Sequence, residues 1–133
     1  ALLRRKGHGV AILAFGSMVA RAADVAESLN ASLADMRFVK PLDGELIGKL
    51  ARSHDLIVTV EENAIMGGAG SSVNEYLAAH NLNVPVLNLG LPDAFLEHGK
   101  ATEMLSDAGL DSEDIALAIQ RKRKACNLNS EMV

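Results

Sequence analysis

Two rhythms alternate along this chain of 133 residues. Val10-Ala-Ile-Leu-Ala-Phe15 is an unbroken apolar run closed by Gly16, the pattern of a strand buried on both faces. Met18, Ala22, Val25, Ala26 and Leu29 then recur at helical spacing, with Ser17 placed to cap that helix. Leu33 to Val39 returns to strand, and Pro41 stops it. From Asp43, a second candidate cap, Leu46, Ile47, Leu50 and Ala51 form the stripe of another helix. Asp55 to Glu62 is the strongest strand, with Leu56, Ile57, Val58 and Val60 in its middle. Val73, Tyr76, Leu77 and His80 mark one face of a third helix. Val84 to Leu89 reads as strand, with Pro85 near its start, where the missing N–H is tolerated. Residues 90–99 read as loop. Short helices are expected at 100–108 and, capped by Asp111 or Ser112, at 112–124.

Strands that alternate with helices throughout predict an α/β fold, a mostly parallel sheet covered on both faces. The length fits one domain, and no internal boundary or repeat interrupts it. The expected division is a linker over residues 1–9, the domain over 10–125 and a frayed tail over 126–133. The chain opens on Ala1 and reaches a core-like strand within ten residues, so it reads as a piece of something longer. The longest strongly apolar run, Val10 to Phe15, is far too short to cross a bilayer, and no signal-peptide pattern opens the chain. A single cysteine, Cys126, cannot form an internal disulfide, which fits a reducing compartment and points to the cytoplasm.

Charge adds one exclusion. Seven of the thirteen basic residues sit at the ends, in Arg4-Arg5-Lys6 and Arg121-Lys122-Arg123-Lys124. Residues 7–120 keep six basic against sixteen acidic residues, a formal balance of −10. An acidic body repels a polyanion, so nucleic-acid binding is not expected. The terminal basic cluster suits the solvated last turn of a helix, where it complements the dipole.

The candidate chemistry concentrates in Thr59-Val-Glu-Glu-Asn-Ala-Ile-Met-Gly-Gly-Ala-Gly-Ser-Ser72. A strand feeding a glycine-rich turn and then a helix is where α/β proteins place phosphates. The dinucleotide fingerprint fails, because Gly68-Ala-Gly70-Ser-Ser is followed by Val73 instead of a third glycine. A P-loop fails too, since Ser71-Ser72 stand where Lys-Ser or Lys-Thr would be needed. The structural reading is that Gly67, Gly68 and Gly70 permit positive φ and close approach to a neighbouring segment or subunit. Ile65 and Met66, apolar residues within a turn, favour a contact surface. Glu61 and Glu62 are adjacent, so on a strand they face opposite sides and cannot both address one substrate atom. Two solvated carboxylates at a strand exit are the plain expectation.

Elsewhere the sequence holds little chemistry. His8, His54 and His80 occupy ordinary places, and His98, after Asp93, is the histidine to watch. None has metal-ligand spacing to another His or Cys, so no metal site is expected. Ser17, Ser71 and Ser72 lack the G-x-S-x-G context of a nucleophile, and no oriented base stands by Cys126. No catalytic or cofactor-binding residue is assigned. A free-standing module that binds an anion or phosphometabolite through the Gly67–Ser72 loop stays open as an alternative.

Four blocks in order then carry a family resemblance. Asp35-Met-Arg-Phe-Val-Lys-Pro-Leu-Asp43, the Thr59–Ser71 stretch, Leu89-Gly-Leu-Pro-Asp93 with His98-Gly99, and Gly109-Leu-Asp111 resemble the 1-deoxy-D-xylulose-5-phosphate synthase family. The likeness is to its C-terminal, transketolase-type domain and covers nearly everything from Val10 to Ile119. It implies a three-layer α/β/α fold around about five strands, mostly parallel, with room for one antiparallel edge strand. It implies a parent transferase that condenses pyruvate with glyceraldehyde 3-phosphate and releases carbon dioxide, using thiamine diphosphate and magnesium, for isoprenoid, thiamine and pyridoxal synthesis. In that family the cofactor, the metal and most substrate contacts belong to the other two domains, so no cofactor is expected on this segment. What the resemblance implies here is a packing role in a homodimer. Glu61, Glu62, Asn63, Ile65, Met66, Gly67, Gly68, Gly70 and Ser71 then lie toward an interface with the parent's other domains or the second subunit.

Overall fold

The structure, a computed structural model, describes residues 1–37, 42–61, 68–90 and 111–131, the last five by backbone alone. Its strands are β1 (Leu2–Arg5), β2 (Val10–Ala14), β3 (Ser32–Asp35), β4 (Leu56–Glu61) and β5 (Val86–Gly90). They form one sheet in the order β1-β3-β2-β4-β5. All neighbours run parallel except β1, which lies antiparallel on the edge of β3. The helices are α1 (Val19–Leu29), α2 (Gly44–Ser53), α3 (Ala69–Ala79) and α4 (Ser112–Glu131). The expected α/β/α architecture, five strands with one antiparallel edge, is the one found.

Period-two alternation in the strands sorts the core into two layers. Val10, Ile12, Ala14, Leu56, Val58 and Val60 face α1 and α4, where Ala22, Val25, Ala26, Ile115 and Ile119 close over them. Ala11, Leu13 and Ile57 face the other way, against Ile47 and Leu50 of α2 and Val73 and Leu77 of α3. β2 and β4 are buried at every position, as unbroken apolar runs in a covered parallel sheet should be.

Three expectations need correction. Residues 1–9 are not merely a linker, because Leu2–Arg5 pair with β3. Leu2 and Leu3 stay nearly half exposed, and a strand with few buried side chains leaves no alternation to read. Ser17 does not cap α1: the chain turns off β2 through a 3-10 turn, Gly16–Met18, with no side-chain cap bond, and Gly16 takes a left-handed φ of 65°. The tail expected from 126 is instead helix as far as Glu131, and no glycine or proline interrupts that stretch. Two of the proposed caps do form. Asp43 accepts from the Leu46 N–H at 3.1 Å, and Asp111 from the Asp114 N–H at 2.9 Å. The helix expected at 100–108 and the loop through Leu91-Pro92-Asp93 lie outside the described residues.

Candidate functional site

Strand order reverses between β2 and β4, since β2 is followed outward by β3 and β4 is followed the other way by β5. In open parallel sheets the crevice beyond the carboxyl ends at such a reversal is where ligands bind. On this chain that place is formed by Phe15 and Gly16 at the exit of β2 and Glu61 at the exit of β4. The Phe15 N–H donates to the Val60 carbonyl at 3.0 Å, which ties the two exits together.

Glu61 follows Ile57 and Thr59 on the face of β4 that α3 covers, and it is only 6% exposed. Its Oε1 accepts from the Ala69 N–H at 2.9 Å and its Oε2 from the Gly70 N–H at 2.5 Å. These are among the N–H groups that have no partner inside a helix, at the end where the dipole favours negative charge. The carboxylate therefore sits where a phosphate would sit. The expectation of a solvated carboxylate fails for Glu61, because the pleat turns it inward under α3 and the helix N-terminus supplies its partners.

Gly70 is what lets α3 come so close. A Cβ on it would stand 3.0 Å from both Thr59 Oγ1 and Asn88 Oδ1. Thr59 and Asn88 lie opposite each other in the β4–β5 register, and the Thr59 hydroxyl donates to Asn88 Oδ1 at 2.7 Å. Close approach was expected of the glycines, and at Gly70 it occurs within the chain. Positive φ was also expected, but Gly68 has φ −70° and the described glycines with positive φ are Gly9 and Gly16. Ser71 is exposed on the first turn of α3. Glu62, Asn63, Ile65, Met66, Gly67 and His98 lie outside the described residues. The expected interface set is thus represented here by Glu61, Gly68, Gly70 and Ser71, which the structure brings to the start of α3.

A second polar cluster, missed in the sequence, lies at the opposite end of the sheet. Ser32, the first residue of β3, is buried and accepts from the Gly7 N–H at 2.9 Å. Its hydroxyl pairs with His54 Nε2 at 2.7 Å, and His54 Nδ1 lies 2.9 Å from the Leu50 carbonyl. A carbonyl can only accept, so the ring proton is assigned to Nδ1 and Ser32 donates to Nε2. The histidine thereby satisfies a carbonyl at the end of α2. Twenty-two residues separate the pair, so no local spacing announces it. His80, by contrast, stands exposed just past α3 and stacks on the half-buried Tyr76, with ring centroids 4.0 Å apart.

Ser32 is sealed and spends its hydroxyl on structure, and among the described residues no group of His, Cys, Asp or Glu could hold a metal ion. At α3 the Ala69 and Gly70 N–H groups are already taken by Glu61. No described helix is long and apolar enough to cross a membrane.

A mostly parallel sheet of this order, covered by helices on both faces and with the start of α3 capped from within, is a three-layer α/β/α domain. The transketolase C-terminal domain model matches residues 1–115, and the chain belongs to that family. Among curated proteins it is 55% identical over 121 residues to a 1-deoxy-D-xylulose-5-phosphate synthase of Pseudomonas aeruginosa, and 59% identical over 120 residues to the synthase of Methylobacillus flagellatus. These alignments take in 91% and 90% of this chain, but the chain spans only about a fifth of either relative, 19% and 20%. Among solved structures it superimposes on a split-gene transketolase, an inactive β4 tetramer, with a TM-score of 0.81 and 34% identity. That match covers 90% of this chain and 41% of the other. The resemblance carried by the four sequence blocks holds.

Proposed function

We propose that this chain serves as the C-terminal domain of a thiamine-diphosphate-dependent enzyme that makes 1-deoxy-D-xylulose 5-phosphate and carbon dioxide from pyruvate and glyceraldehyde 3-phosphate. Its part in that enzyme is architectural: it packs against the other domains and helps hold two subunits together. The observation that carries this role is Glu61, which fills the fold's ordinary ligand position with the protein's own carboxylate. Thiamine diphosphate and magnesium are then held by the parent's other domains, in a cytoplasmic homodimer. Supporting the assembly, the structural neighbour that shares this fold is itself an oligomer.

Three measurements test the reading. Calorimetry with the isolated chain should detect no thiamine diphosphate binding, and the chain should not turn over pyruvate with glyceraldehyde 3-phosphate. In the longer enzyme, Ile65→Ala with Met66→Ala should move the sedimentation boundary from dimer toward monomer. An unchanged dimer removes the interface role, whereas cofactor binding by the isolated chain removes the architectural one.

A further inference from the structure

The first turn of α3 has no cap of its own. Gly68 stands at the N-cap position, and no side chain there bonds the helix. Helices usually obtain that cap from a Ser, Thr, Asp or Asn at the N-cap, or from a Glu at N3 reaching back. In α3 the acceptor comes instead from the preceding strand, eight residues before Ala69. Three features build the seat. Alternation along Ile57, Thr59 and Glu61 aims the carboxylate at the helix. The missing Cβ of Gly70 lets the helix start descend onto Thr59 and Asn88. Burial at 6% exposure keeps water from competing for the two N–H groups.

We propose that Glu61 is a built-in anion. It is a positioning residue that fixes the start of α3 in the seat where other open α/β sheets hold the anionic part of a ligand. Both oxygens are engaged, so the seat is closed to free anions while Glu61 is present. Removing the side chain leaves two outward N–H groups and a space shaped for a small carboxylate. This inference concerns the fold itself and stands whether or not the parent enzyme is the synthase proposed above.

The test is amide exchange of the segment 68–77, followed by mass spectrometry in the intact polypeptide that carries this domain. Wild type, Glu61→Ala and Glu61→Gln are compared, each in sodium formate and in sodium chloride at equal ionic strength. Charge-assisted hydrogen bonds of this kind predict exchange at least about tenfold faster in Glu61→Ala in chloride. Formate, which presents the same pair of oxygens, should restore part of the protection in that variant and change nothing in wild type. Glu61→Gln keeps one acceptor oxygen and fills the space, so its exchange should be intermediate and indifferent to formate. Unchanged exchange in Glu61→Ala, or faster exchange on which formate acts no better than chloride, overturns the proposal. Should Glu61→Ala fail to fold, Glu61→Gln decides: wild-type protection in that variant overturns it equally.

Discussion

The two ends of the sheet solve the same problem with different chemistry. At the carboxyl end, a charged side chain meets the positive end of a helix, through Glu61 and the Ala69 and Gly70 N–H groups. At the amino end a chain of hydrogen bonds runs from the Gly7 N–H through Ser32 to His54 and the Leu50 carbonyl. Helix N-termini in a parallel α/β sheet gather at the strands' carboxyl ends and helix C-termini at the other. One end therefore offers donors and a positive potential, the other acceptors. An anion suits the first; a donor, His54 Nδ1–H, suits the second. The comparison teaches that, among the described residues, both polar clusters draw their partners from within the chain.

The largest test of that contrast concerns how each end tolerates added volume. A Cβ on Gly7 would stand 2.2 Å from the Asn30 carbonyl oxygen and 2.5 Å from the Ala31 carbonyl carbon, both backbone. Backbone cannot swing aside, so Gly7→Ala should cost about 3 kcal/mol in urea denaturation. Gly70→Ala meets the Thr59 and Asn88 side chains at 3.0 Å, which must give by a few tenths of an ångström, so it should cost less, about 1 to 2 kcal/mol. Reversal of that order would show that the carboxyl end is the tighter one.

Next in size, Ser32→Ala should cost about 2 kcal/mol, since the buried Gly7 N–H loses its acceptor. The ends share no partner, so combining it with Glu61→Ala should give the sum of the single effects to within about 0.5 kcal/mol. A larger coupling in the same denaturation series would mean the sheet transmits strain between its ends. Smaller still is the difference between local and remote capping. Asp43→Ala removes the cap that α2 carries itself, and should lower stability by about 1 kcal/mol, read from the shift in the denaturation midpoint.

Much of this was legible in the sequence, and the reason is local. The run Val10–Phe15, the stripe of α1 and the caps at Asp43 and Asp111 each depend on residues within a few positions of one another. β1 was not legible, because an edge strand that buries little has no pattern of its own and exists through its pairing with β3. The length of α4 was underestimated because the polar residues beyond Ala125 read equally well as tail. The Ser32–His54 pair and the Thr59–Asn88 pair join residues more than twenty positions apart, and only the strand register brings them together.

The Thr59–Ser72 stretch divides most clearly. Residue types and spacing alone excluded a dinucleotide fingerprint and a P-loop, put Glu61 and Glu62 on opposite faces, and carried the family likeness. They could not say which face α3 would cover, since alternation defines two faces without naming the buried one. That choice belongs to the crossover from β4 to β5, which lays α3 over the face of Ile57, Thr59 and Glu61. The sequence determined that a carboxylate would stand at the strand's exit; the tertiary structure turned it inward as the anion of its own helix.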